Sequence, residues 1–141
     1  MDYKCITHLS ELMDYINGTD IVAFDIETSP DDKYSSEERA ALDAHKASIT
    51  GISFSVSEDS ARYVPLRHRI GMNADIQPLM GYISLLLTDS KIIKVAHNLT
   101  FEAMFFAGER IIIQPPVYDT IAASQLTLKN NTEFRKLSDS G

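Results

Sequence analysis

The sequence predicts an α/β protein built on a mixed five-stranded sheet flanked by helices. Three observations carry this. An apolar run with strand character, "VAFDIETS", occupies residues 22–29. Two alternating segments, "TGISFSVS" (50–57) and "ARYVPLRH" (61–68), are separated by the short polar turn "EDS". From residue 75 onward helical and strand periodicities take turns, the pattern of helices packed on a sheet.

Taken in order, Thr7 is placed to cap a leading helix in which Leu9, Leu12, Met13 and Ile16 recur at helical spacing, and Asn17-Gly18 ends it. Residues 20–27 form the first strand. In "SPDDKYSSEERAALDAHK" the Pro and Asp residues read as a loop, and Ser35 with Glu38 fits a capping box opening a charged surface helix that runs to about Lys46. After the hairpin, Ile76, Leu79, Met80, Ile83 and Leu86 or Leu87 mark an amphipathic helix capped by Asp75, with Pro78 tolerated in its first turn. "KIIKVAH" (91–97) is the fourth strand, "LTFEAMFFAG" (99–108) a helix closed by Gly108, and "RIIIQPPVY" (110–118) the fifth strand. "DTIAASQLTL" (119–128) is a helix capped by Asp119, and residues 129–141 form a polar tail. A length of 141 residues suits one core, and residues 1–128 are read as one domain.

Composition narrows the class. An apolar share of 44% with 23% charged residues is that of a globular chain. The net charge of −7 speaks against a free-standing nucleic-acid binder, although acids that hold divalent ions add negative charge that the ions cancel. Cys5 is the one cysteine, so no intrachain disulfide forms and a reducing compartment is expected. No stretch has the length of a membrane span and the first residues lack signal-peptide order, so a cytoplasmic protein is expected.

The chemistry gathers on carboxylates. Side chains alternate along a strand, so Val22, Phe24 and Ile26 face one way while Ala23, Asp25 and Glu27 face the other. Two like charges so placed oppose joint ionisation unless a cation or a strong donor joins them. Glu102 is the third acid, at the fourth position of a helix capped by Asn98, at the sheet edge where α/β proteins build sites. Read blandly, it is a surface acid that complements the helix dipole. Read chemically, three carboxylates form a hard oxygen pocket for Mg2+ or Mn2+. Two such ions about 4 Å apart activate water and stabilise the leaving oxygen of a phosphodiester.

"VAFDIETS", "TGISFSVSEDSARYVPLRHR", "KVAHNLTFEAMFFAG" and "VYDTIAASQL", in this order and spacing, closely resemble the 3'-5' proofreading exonuclease domain of family A, polymerase I-like DNA polymerases, within the DEDD superfamily. The resemblance implies a ribonuclease H-like fold over residues 1–128 and two-metal removal of 3'-terminal nucleotides from single-stranded DNA, with a polymerase domain in the same or a partner chain. It implies that Asp25, Glu27 and Glu102 are the catalytic metal ligands for Mg2+ or Mn2+, and that Thr28, Asn98 and Phe101 contact the substrate strand. Asp119 matches a mainly structural Asp-Thr pair, and His97 is not where the family's base lies.

Two departures stand out. The family's second motif normally carries Asp where this chain has Glu102, and a misplacement of about 1 Å can cost roughly 10²-fold in catalysis. The third motif, Tyr or His followed four residues later by Asp, should lie several tens of residues beyond Asp119, past Gly141. The fold is therefore expected to be C-terminally incomplete and this piece inactive or weak. The alternative from another class is a non-catalytic, exonuclease-like module that binds a polymerase or single-stranded nucleic acid.

Overall fold

β2 (Ile21–Pro30) is central because one of its faces is a run of aliphatic and aromatic side chains, Val22, Phe24 and Ile26, all buried. The computed structural model describes residues 1–121, and β2 stands in the middle of a six-stranded sheet. Around it lie β1 (Asp2–Cys5), β3 (Ala47–Ser57), β4 (Ser60–Pro65), β5 (Ile93–Ala96) and β6 (Val117–Asp119), in the order β1-β4-β3-β2-β5-β6. β4, β3 and β2 pair antiparallel, whereas β1 joins β4, β5 joins β2 and β6 joins β5 in parallel. The mixed sheet of the sequence reading is present with one strand more.

The additional strand is β1. All four of its residues are exposed, so it carries no apolar alternation by which it could be recognised. Its parallel ladder with β4 and the Arg62 guanidinium hold it in place: Arg62 donates to the Asp2 carbonyl at 3.0 Å and the Asp2 carboxylate at 2.9 Å. The same guanidinium stacks over the Tyr15 ring at 4.3 Å, tying this edge to α1 (Leu9–Ile16).

Val22, Phe24 and Ile26 join one hydrophobic cluster with Leu12 and Ile16 of α1, Leu79, Ile83, Leu86 and Leu87 of α2 (Ile76–Thr88), and Phe105 and Phe106 of α3 (Leu99–Gly108). The three α-helices among the described residues therefore cover one face of the sheet, and Ala23, Asp25 and Glu27 point from the other. His8, not Thr7, occupies the N-cap of α1, and Asp75 stands at the N-cap of α2 without a side-chain capping bond. The left-handed residue after α3 is Arg110 rather than Gly108.

Residues 31–46 are not the helix expected from Ser35 and Glu38. Two short 3-10 turns, Asp32–Tyr34 and Ala40–Leu42, are joined by three-residue backbone bonds, and Arg39 between them has a left-handed φ of 62°. The segment offers no apolar stripe, only Ala40 being buried, and a short helix without one is marginal in water. The expected fifth strand likewise shrinks to β6, preceded by Pro115 and Pro116, which cannot donate to a ladder. The helix expected at 119–128 beyond Ile121, and the tail at 129–141, lie outside the described residues.

Lys94 is the unusual core residue. It lies on the helix-covered face of β5, fully buried, and its Nζ donates to the Asp89 carbonyl at the end of α2 at 2.5 Å. Burial pulls its pKa below the ordinary value, against the pull of nearby Asp89. Lys94→Met keeps the volume and removes the desolvated charge, so it should lie within about 1.5 kcal/mol of wild type, whereas Lys94→Ala should cost roughly 2 to 4 kcal/mol through the cavity. Urea melts of both variants decide; equal losses would mean that the Asp89 contact outweighs the packing.

Candidate active site

The carboxyl ends of the parallel strands β2, β5 and β6 and the first turn of α3 meet at one edge of the sheet. There the structure brings Asp25 and Glu102 together. Asn98 ends the chain's exit from β5 and caps α3 by accepting the Phe101 N–H at 3.3 Å, while the Asn98 carbonyl accepts the Glu102 N–H at 3.0 Å. Glu102 then points inward. It is 1% exposed, which removes the bland reading of a surface acid on the dipole.

Both Glu102 carboxyl oxygens are buried without a hydrogen-bond partner among the described residues. Burial first, then contact with the Asp25 carboxyl and the field of Asp119, push its pKa from the ordinary 4.5 up to about 8. Two carboxylates have no proton to share when both are ionised, so Asp25 partners Glu102 only when one of them is protonated or a cation lies between them. Asp119 itself is occupied: its oxygens accept the Leu99 N–H at 3.3 Å and the Ile121 N–H at 3.0 Å, a structural use of that acid. His97 is exposed and its Nδ1 meets the Thr120 hydroxyl at 3.0 Å.

Glu27 stands apart from this pair. The register shifts between Glu27 and Thr28: Glu27 faces Gly51 and Thr28 faces Ile49, leaving Thr50 as an extra residue in β3. Its carboxylate accepts the Tyr63 hydroxyl of β4 at 2.9 Å, reaching across β3. Thr28 turns its hydroxyl to the Ala41 carbonyl at 2.5 Å, so its side chain anchors the 40–42 turn. Phe101 is half-buried and its ring packs on Phe105 with centroids 4.9 Å apart. Of the six residues singled out in the sequence, Asp25 and Glu102 meet directly, Asn98 places Glu102, and Glu27, Thr28 and Phe101 are held by other partners.

Tyr63, His68 and Gly51 were missed by sequence reasoning. Tyr63 hydrogen-bonds His68 Nε2 at 2.5 Å as well as Glu27, and an added Cβ on Gly51 would lie 1.9 Å from the Tyr63 hydroxyl oxygen. A lone glycine inside an alternating strand is the signal that could have found them, since it marks a close approach.

A mixed sheet with acids at the carboxyl ends of its parallel strands, beside a capped helix that buries another, is the architecture of the ribonuclease H-like exonucleases. Within that class, the family model described as the 3'-5' exonuclease of DNA polymerase A matches residues 3–139, and the chain belongs to this family. It is similar to DNA polymerase I of Pseudomonas aeruginosa, with 29% identity over 114 residues, covering 77% of this chain and 11% of the polymerase. Among solved structures it is similar to Brucella melitensis NrnC with bound Mg2+, with a TM-score of 0.62 and 20% identity over 92% of this chain and 54% of NrnC. It is also similar to Trypanosoma brucei RNase D, with a TM-score of 0.63 and 13% identity over 84% of this chain and 38% of that one. The chain thus spans about a tenth of the polymerase and about half of NrnC.

The donor set fits a hard divalent ion. Orphaned, buried Glu102 oxygens beside Asp25 call for a proton or a cation as their counter-charge.

Proposed function

We propose that this chain carries the metal-holding part of a 3'-5' exonuclease site that acts on the 3' end of single-stranded DNA. The observation that carries the reading is the buried Glu102 carboxyl without a donor, set against Asp25. Asp25, Glu102 and Glu27 would hold Mg2+ or Mn2+. Such ions lower the pKa of an attacking water and neutralise charge on the leaving oxygen of a phosphodiester.

The chain's own residues do the rest of the work. Asn98 fixes the turn from which Glu102 descends, and the fully buried Glu102 keeps its carboxyl out of water. The Phe101 ring, half-exposed beside the pair, offers a sequence-tolerant face to a terminal base, the contact single-strand binders use. Thr28 and the bulge fix the exit of β2 next to a cleft of about 470 Å3 lined by Ser29, Asp31, Asp32, Thr50, Arg67 and His68.

Among the described residues no three acids, histidines or cysteines stand close enough to share one ion. That favours, as a second reading, a non-catalytic module binding single-stranded nucleic acid or a polymerase. Titration calorimetry with Mn2+ and a 3'-labelled oligonucleotide separate the two. Binding of Mn2+ that disappears in Asp25→Ala, with at most slow release of label by the wild type, is the expected result for a chain that carries only part of the site. Mn2+ binding unaffected by Asp25→Ala removes the metal reading, and oligonucleotide binding without any Asp25-dependent Mn2+ binding establishes the second.

A further inference from the structure

Glu27, Gly51 and Tyr63 lie on three adjacent strands. Glu27 pairs with Gly51, and Gly51 with Pro65, while Tyr63 pairs with Ser53 one side-chain step away on the same open face. The tyrosine ring therefore has to run diagonally across β3 to reach the Glu27 carboxylate. It can do so only because residue 51 has no side chain: a Cβ there would come within 1.9 Å of the hydroxyl oxygen and 2.3 Å of the ring carbon that bears it. The bulge at Thr50 adds to the fit. Its carbonyl accepts the Leu66 and Arg67 N–H groups at 2.8 and 3.1 Å, and its hydroxyl donates to the Glu27 carbonyl at 3.2 Å, so the backbones on both sides of the crossing are fixed.

The hydrogen-bond directions follow from donor counting. Tyr63 has one proton, and the carboxylate of Glu27 can only accept, so the phenol donates to Glu27 Oε2 at 2.9 Å. The phenol oxygen is then left to accept from the Nε2–H of His68 at 2.5 Å. His68 is in turn held from behind. Its N–H donates to Asn73 Oδ1 at 2.8 Å, its carbonyl accepts from Asn73 Nδ2 at 2.9 Å, and its ring meets the Tyr63 ring edge-on with centroids 5.6 Å apart. Among the described residues nothing bonds the other Glu27 oxygen, Oε1. One oxygen is tethered and the other presented, the arrangement by which a hydrogen-bonding neighbour orients a carboxylate for a metal.

We infer that Tyr63, set by His68 and admitted by Gly51, is a positioning residue that fixes the Glu27 carboxylate for divalent-metal binding. The inference rests on the proposed role of Glu27 as a metal-holding residue. None of the three touches an ion: Tyr63 acts through Glu27, His68 through Tyr63, and Gly51 by leaving space.

Tyr63→Phe keeps the ring and removes the donor, and Gly51→Ala keeps the donor and blocks its path. Two measurements on the full chain test the inference. In metal-free protein, NMR side-chain couplings of Glu27 should report one rotamer in wild type and averaging in both variants. Calorimetry should give Mn2+ binding about 10-fold or more weaker in Tyr63→Phe, the usual cost of losing such a neighbour. Its melting temperature should stay near that of wild type. Gly51→Ala combined with Tyr63→Phe should weaken binding no further than Tyr63→Phe alone, because both remove one interaction. Averaged couplings in wild type, or Mn2+ binding by Tyr63→Phe that equals or exceeds wild type, overturn the inference. Loss of Asp25-dependent Mn2+ binding in wild type would instead sink the metal reading of the site, and with it any positioning for metal, even where the couplings show a fixed Glu27.

Discussion

Metal-free protein should lose stability as pH rises from about 5 to about 8, and Glu102→Gln should abolish most of that loss. The folded chain holds the Glu102 proton up to about pH 8, whereas the unfolded chain releases it near the ordinary 4.5. Between those values the native state binds the extra proton, so the slope of unfolding free energy with pH is negative. The contribution is fully present below 4.5, and it is lost as pH climbs through about 8. At about 1.4 kcal/mol per pH unit for one proton, the span from pH 5 to pH 8 is worth roughly 3 to 4 kcal/mol, or on the order of 10 °C in melting temperature. A cation that takes the proton's place reverses the trend, so Mn2+ should raise the melting temperature more at pH 8 than at pH 5.5. Thermal melts of wild type and Glu102→Gln across this range, with chelator and with Mn2+, decide the matter. Parallel profiles for the two proteins would show that Glu102 is paired in some other way.

Much of this arrangement could be read from the residues alone, and the parts that could not share a physical reason. β2 is legible because alternation of Val22, Phe24 and Ile26 against Asp25 and Glu27 is a signal contained in one segment. α3 is legible for the same reason: Asn98 is a capping residue, and the helix runs from Leu99 to Gly108 as its spacing predicts. β1 is not, because its stability comes from a ladder with β4 and from Arg62, some 60 residues away, while its own side chains are all exposed. The charged segment at 31–46 satisfies a helix-start rule, yet a start signal without an apolar face to bury leaves only single turns. In the site, the pairing of Asp25 with Glu102 follows from a strand end meeting a helix start. The attachment of Glu27 to Tyr63 depends on a bulge and on a glycine in the intervening strand, and register is decided by three strands together.

Phe106→Ala should be the most damaging single core truncation near the site, costing about 3 to 5 kcal/mol, and its effect should extend to the titration of Glu102. Phe106 is fully buried and meets Phe24 edge-to-face, with ring centroids 5.9 Å apart and an interplanar angle of 69°. Phe24 precedes Asp25 in β2, and Phe106 follows Glu102 by one helical turn in α3, so the aromatic contact joins the same two segments as the carboxyl pair. Domains of this size are stable by roughly 5 to 15 kcal/mol, so the chain keeps its fold with a loosened α3. A loosened α3 admits water to Glu102. Burial is the largest cause of its raised pKa, so the pKa should fall back toward 4.5 and the pH slope of stability should flatten. Urea melts of Phe106→Ala and Phe106→Leu at about pH 5.5 and pH 8 test this. Leu retains most of the volume and should keep the slope at a cost of about 1 to 2 kcal/mol. A full slope in Phe106→Ala would mean that Glu102 is held down by its own turn, through Asn98, and not by the aromatic clamp beneath it.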